Sequence, residues 1–180
     1  QYTGIDSETG TYTFADLNSD GQIEAVGDRQ FVADLNPRYF GGLQNQFTYK
    51  TWQLDVLFQF VNQKNFNASF NAGMPGTLQN QPAEVLNGWQ NPGDTANVQR
   101  YSTGADSQAV NAFNLYSQSD AVITDASFMR LKNLALNYTV PKKWSFGTSC
   151  KLFIEGQNLL TFTSFKGADP EFVTSGFLAP

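Results

Sequence analysis

The chain has 180 residues, with 11 Lys and Arg against 16 Asp and Glu and a formal charge of −5, and no basic cluster that would give nucleic acid an electrostatic footprint. His is absent, which removes the commonest proton shuttle and metal ligand and with it Ser–His, Cys–His and His–zinc chemistry. Charged residues are only 15% of the chain, against roughly 25% in ordinary soluble domains, while aromatics reach 14% and there are 16 Asn and 15 Gln, so polarity is carried by amides.

The opening segment contains Asp16-Leu17-Asn18-Ser19-Asp20-Gly21-Gln22-Ile23, the first half of an EF-hand-type loop. Oxygens at alternate positions wrap a hard cation because Gly at position six permits the sharp turn and the next residue offers its carbonyl. Asp16, Asn18 and Asp20 would give side-chain oxygens, Gln22 a backbone carbonyl, and Glu24 a direct or water-mediated contact. Position twelve is Gly27, and the nearest carboxylate, Asp28, comes one place late, a surplus that a bulge would absorb. The six residues Asp16, Asn18, Asp20, Gln22, Glu24 and Asp28 are expected to hold a structural calcium ion that pins a long loop. The competing reading is an Asx-rich turn whose side chains bond their own backbone.

Residues 41–49 alternate, with Leu43, Phe47 and Tyr49 opposite Gln44, Gln46 and Thr48. The next run puts Trp52, Leu54, Val56, Phe58 and Phe60 on one parity and Gln53, Asp55 and Gln59 on the other, which is the period of a strand with two unlike faces. Lys50-Thr51 between the runs is short enough for a tight antiparallel hairpin, although it lacks the Asn-Gly signature. From Asn62 to Ala121 the composition turns to Asn, Gln, Gly, Pro and Ser, a stretch of roughly sixty residues that is too long for an ordinary connection and is expected to be functional or disordered. One helical turn is expected within it, at 85–89.

Alternation returns with Leu134, Leu136, Tyr138 and Val140 against Asn133, Ala135, Asn137 and Thr139. Carried backwards, the same parity would set Arg130 and Lys132 on the apolar side, so either a bulge resets the register near Lys132 or that end lies beyond the apolar zone. After Pro141 a turn through Lys142-Lys143-Trp144 leads to residues 150–163, where Leu152, Ile154, Leu160 and Phe162 oppose Lys151, Glu155 and Gln157. The single Cys150 cannot form an internal disulfide and reads as a passive thiol. The chain begins at Gln1 without a signal peptide and stops without an obvious terminal element, so it reads as a piece of something longer.

Strands with one greasy face and one amide-rich face have two homes. A soluble sandwich packs its apolar faces together and normally carries many outward charges. An outer-membrane barrel turns them to lipid, with aromatic girdles, short periplasmic turns and long extracellular loops. Low charge, abundant amides, short turns after Tyr49 and Pro141 and a long loop between Phe60 and Asp125 favour the barrel. No apolar run approaches the roughly 18–20 residues of a spanning helix, so any crossing is made by strands. The expected fold is all-β, with antiparallel strands of a transmembrane barrel. Its units are a loop with the calcium-like motif over 1–36, a hairpin over 37–60, a long loop over 61–124 and C-terminal strands over 125–180.

No spacing among Asp6, Glu8, Asp94, Asp106, Asp120, Asp125, Asp169 and Glu171 selects a hydrolytic pair, and no catalytic residue is assigned. Trp89, Tyr101, Phe113 and Tyr116 could stack on sugars, but loop anchoring is the plainer expectation. Asp125 and Arg130 could pair at a strand end, and a solvated rim charge is the plainer expectation.

Five segments together resemble the C-terminal part of the SusC/RagA-type TonB-dependent outer-membrane transporters of Bacteroidetes. They are Asp16 to Ile23, the strand lead-in Pro37-Arg38-Tyr39-Phe40-Gly41-Gly42, Trp89-Gln90-Asn91-Pro92-Gly93-Asp94, Asp125-Ala126-Ser127-Phe128-Met129-Arg130-Leu131-Lys132-Asn133, and Gly156 to Thr163 followed by Lys166-Gly167-Ala168-Asp169-Pro170-Glu171. The resemblance implies a non-enzymatic role in the cell outer membrane: active import of a glycan or peptide, powered by TonB through regions outside this chain. It also implies a SusD-type surface lipoprotein as partner, with the bilayer around the wall. The alternative is a soluble β-sandwich carbohydrate-binding module with a calcium loop.

Overall fold

The alternating segments are strands, and short ribbons, a helix and 3-10 turns lie between them. The computed structural model describes residues 1–24, 27–67, 72–145, 147–167 and 169–172. Ala168 of the fifth matching segment and the part of the expected C-terminal unit beyond Phe172 lie outside the described residues. The elements in chain order are β1 (Tyr2–Ile5), β2 (Tyr12–Phe14), β3 (Tyr39–Tyr49), β4 (Trp52–Asn62), β5 (Lys64–Phe66), α1 (Ser107–Tyr116), β6 (Ile123–Asp125), β7 (Phe128–Val140) and β8 (Cys150–Thr163). Short 3-10 turns occupy Ala83–Asn87 and Asp120–Val122.

The long strands form one antiparallel sheet in the order β3-β4-β7-β8, and β1-β2 and β5-β6 form separate two-stranded ribbons. β3 and β4 pair without interruption from Tyr39↔Asn62 to Tyr49↔Trp52, so Lys50-Thr51 is a two-residue hairpin turn. Lys50 takes φ 54 there, the left-handed conformation such a turn demands and that Asn or Gly adopts with less strain.

A bulge settles the register question at Lys132. On β4 the pairing steps from Leu57↔Asn133 to Phe58↔Leu131, and on β8 from Gln157↔Asn133 to Leu160↔Leu131. Lys132 on one side and Asn158-Leu159 on the other are skipped, with Asn158 at φ 51. Because side chains alternate with period two, the extra residue moves Arg130 to the polar face and brings Leu131 and Met129 onto the apolar one.

The helix α1 was not expected. Its start is marked by Asp106, whose carboxylate accepts from the Gln108 and Ala109 N–H groups, satisfying donors that the first helical turn leaves free. Ala109 and Ala112 are buried, and Tyr116 at the end of the helix stacks on Tyr12 with ring centroids 4.2 Å apart. The expected helical turn at 85–89 exists as the 3-10 turn two residues earlier.

Buried apolar residues lie among the loops and, on the long sheet, at Val61, Phe128, Leu131 and Ala135 of the two inner strands β4 and β7. Tyr12, Met74, Ala109, Ala112, Val122 and Ala126 are buried, whereas Leu43, Phe47, Ile154 and Leu160 on the sheet are all more than half exposed.

Candidate functional site

The register assigns every wall residue to a face. One face carries the rows Tyr49-Trp52-Tyr138-Leu152, Phe47-Leu54-Leu136-Ile154, Asn45-Val56-Leu134-Gly156, Leu43-Phe58-Leu131-Leu160 and Gly41-Phe60-Met129-Phe162. Within these rows Asn45 is the one amide, and Asn62 follows beside Tyr39 at the loop end. Aromatic rings close both ends: Tyr49, Trp52 and Tyr138 beside the hairpin turn, and Tyr39, Phe60 and Phe162 beside the loops. Trp52 and Tyr138 touch, with centroids 4.6 Å apart. Phe60 lies over Gly41, where an added Cβ would come within 2.7 Å of its ring, so the glycine makes room for the aromatic of the girdle.

The dimensions agree with a bilayer. β3 has 11 residues, roughly 34 Å of strand at ~3.4 Å per residue. At the ~40° tilt of barrel strands this spans about 26 Å, matching an apolar band of about 25 Å. Among the described residues no second sheet lies over this face.

The opposite face is hydrophilic at its centre. Asp55 accepts from Gln46 Nε2 (2.7 Å), Gln53 Nε2 (2.8 Å) and Asn137 Nδ2 (3.0 Å). One carboxylate thereby organises amides from three strands, which is the chemistry of a wet wall. Phe153 interrupts the pattern beside Asn137.

At the loop end of this face the sequence expectation for Arg130 is corrected. Arg130 is buried rather than a solvated rim charge, and its partners are Asp169 (2.6 Å) and Glu171 (2.5 Å) instead of Asp125. Its Nε donates to Thr161 Oγ1 at 2.9 Å, and Lys132 reaches Glu171 at 3.2 Å. Gln63 donates to the Pro170 carbonyl and Asn65 to that of Phe172. The physical reason is the bulge, which turns the guanidinium to the side where residues 169–172 fold back after β8. Burial works against ionisation of Asp169, but the Glu171 N–H and the Arg130 guanidinium outweigh it and hold its carboxyl below the usual range. Asp125 instead accepts from the Ser127 N–H. Two of the five matching segments, remote in sequence, are thus one ionic clasp.

The loop aromatics act as anchors. Trp89 donates to the Ser7 carbonyl at 3.0 Å and lies against Gly10, where a Cβ would stand 2.3 Å from its ring. The Tyr101 hydroxyl donates to the Val85 carbonyl. Tyr2 and Tyr12 pack on Tyr116, and burial raises the pKa of both phenols. Arg100 ties the ribbon β1-β2 to α1 through the Thr9 carbonyl and Asp106, and this pairing first of all keeps Asp106 readily ionised.

In the calcium-like loop, Asp16 accepts from the Ser19 and Gly21 N–H groups at 2.7 and 2.8 Å, Asp20 from the Gln22 N–H at 2.8 Å, and Asn18 from the Asp20 N–H at 3.2 Å. Gly21 adopts φ 82, as position six requires. Asp28 is buried and spends its two oxygens on the Glu24 and Leu17 N–H groups, which hold its carboxyl below the usual range. Glu24 enters through its backbone N–H and Gln22 through its own. Among the described residues no group of three or more Asp, Glu or Cys side chains is arranged around a common point to hold a metal ion.

An open sheet with a lipid-compatible face, two aromatic girdles, an amide-lined reverse and folded loops at one end defines a stretch of outer-membrane β-barrel wall with its surface loops. No family model matches the chain. It is 32% identical over 170 residues to TonB-dependent receptor P3 of Formosa agariphila, covering 92% of this chain and 16% of that protein, and 26% identical over 175 residues to TonB-dependent receptor P39 of the same organism. The RagAB peptide importer in its open-open state superposes with a TM-score of 0.71 at 25% identity over 94% of this chain and 19% of that one. The chain shares its sequence and fold with one stretch of the TonB-dependent receptors of the SusC/RagA type, proteins of the cell outer membrane and not enzymes. It spans about a sixth of the length of the curated relatives it matches.

Proposed function

We propose that the protein containing this chain imports a peptide across the outer membrane, energised through TonB, with this chain forming part of the barrel wall and of the loops above it. The observation that carries the reading is the continuous match to an importer described as a peptide importer, joined to a wall whose uncovered face is apolar between two girdles. The name RagAB describes a two-part assembly, and a SusD-type surface lipoprotein over the loops is the corresponding partner here. A glycan is the second candidate nutrient. Cells lacking the full-length receptor are expected to lose accumulation of labelled oligopeptides of a size excluded from porins, as are cells with inactive TonB. Unimpaired peptide uptake with lost oligosaccharide uptake would assign the glycan instead.

The loop at 16–28 is proposed to take a structural calcium ion through its first half, Asp16, Asn18 and Asp20, with the Gln22 carbonyl and Glu24 completing the shell. Asp28 closes the loop through the backbone. Support comes from the alternating oxygens and the left-handed Gly21. Chelation of the full-length receptor is expected to speed proteolysis within residues 16–28 several-fold, and added calcium to reverse it. Equal cleavage in both conditions assigns the order of the loop to its Asx turns alone.

A further inference from the structure

At the loop end of the wall Arg130 and Lys132 sit among acids, whereas the end at the two short turns carries cations alone. Lys50 lies in the β3–β4 turn and Lys142 and Lys143 in the β7–β8 turn, all exposed, while residues 46–54 and 137–154 contain no Asp or Glu. The nearest acids, Asp55 and Glu155, sit in mid-wall on the opposite, amide-lined face. The Thr139 N–H donates to the Thr51 carbonyl at 2.8 Å, so the two turns lie side by side and bring their exposed lysines to the same end of the wall.

These lysines adjoin the aromatic girdle. Lys50 Nζ stands 5.2 Å from the centroid of Tyr49, and Lys143 Nζ stands 5.3 Å from that of Trp144, whose ring is exposed. Tyr and Trp rings settle at the headgroup level of a bilayer, and a cation held over such a ring is held at the same depth. Short turns of a membrane barrel face the periplasm.

We infer that this end of the wall binds the phosphates of anionic phospholipids in the periplasmic leaflet. An acid-free group of ammonium ions beside interfacial aromatics complements a ring of phosphodiesters, each basic residue near such a surface adding to the attraction. A free phosphate ion is the poorer fit, because these lysines are spread along two turns and none is buried. The inference rests on the membrane placement of the wall and is independent of the nutrient.

The test uses the full-length receptor in detergent micelles offered equal amounts of phosphatidylglycerol and phosphatidylcholine, with bound lipid counted by native mass spectrometry. Anionic lipid is expected to be retained about tenfold over zwitterionic lipid at low ionic strength, with the preference shrinking at about 0.5 M salt. Lys50→Gln, Lys142→Gln and Lys143→Gln combined should bring the ratio near one, and the same three positions changed to Arg should keep it. Folding of each variant is checked by its unheated mobility on denaturing gels. Equal retention of the two lipids by the native receptor, or an unchanged preference in the Gln variant, overturns the inference. So does lysine-dependent binding of inorganic phosphate that displaces the lipid preference.

Discussion

Leu136→Arg is expected to keep the full-length receptor out of the outer membrane. Leu136 lies in the row Phe47-Leu54-Leu136-Ile154 on the apolar face, away from both bulge and loops. A guanidinium near the middle of the acyl layer costs about 2–4 kcal/mol, a large share of a protein's net stability of roughly 5–15 kcal/mol. The contrasting substitution is Gln46→Arg, at a similar depth on the reverse face. Gln46 is exposed and already bonded to Asp55, so a cation there gains a carboxylate partner and should cost less than about 1 kcal/mol. The measurement is the fraction of receptor recovered from outer membranes in heat-modifiable form. Similar recovery of the two variants would mean that the apolar face is not the one that meets lipid.

The second large effect concerns the clasp. Changing Asp169 to Asn together with Glu171 to Gln should destabilise the loop more than Arg130→Met does. The double change strands a guanidinium whose side chain is 7% exposed, whereas Asp169 and Glu171 are 31% and 40% exposed and can turn to water once Arg130 is gone. Removing the partners of a buried charge costs about 3–5 kcal/mol. Loss of charge-assisted bonds to groups that can rehydrate costs roughly 1.5–3 kcal/mol. Hydrogen exchange at Glu171 and Phe172 reports the release, and the reverse ranking would show that Arg130 is not buried in the intact receptor. Acid should loosen the same contact. The pKa of Asp169 lies below its ordinary 3.8, so its contribution is whole above that value and is lost as pH falls through the lowered one.

The wall was legible because its chemistry is periodic. Trp52 through Phe60 and Leu134 through Val140 display both faces in the linear order of residues, and their partners follow from parity once the hairpin at Lys50-Thr51 is recognised. The bulge could be posed but not resolved, since Arg130 reads equally well as a rim charge or as a residue moved to the other face. Only the spatial return of Asp169 and Glu171 decides it, and that contact spans 39 and 41 positions. The helix α1 was hidden by Asn and Gln on its outer side, although Asp106 followed by Ala109, Ala112 and Tyr116 is a capped stripe at helical spacing. The stretch from Asn62 to Ala121 reads as disorder or function by composition, yet its aromatics and Arg100 give it a small core of its own. The carboxylate of Asp28 illustrates a further limit: a ligand position and a backbone cap use the same oxygens, and a sequence does not say which way they turn.

The single extra residue at Lys132 also governs how such a strand can change in length. Elsewhere in β7, losing or gaining one residue would invert every side chain beyond it, carrying Asn133, Ala135 and Asn137 into hydrocarbon or Leu134 and Leu136 into the aqueous interior. At the bulge an odd deletion is absorbed on the spot: without Lys132, Leu131 and Asn133 would be neighbours on opposite faces, and Arg130 would keep its place opposite Gln59 on the side of residues 169–172. Drift in this part of the wall is therefore confined to paired insertions and deletions, except at Lys132, the one place in β7 where a single residue can be lost without exchanging the two faces.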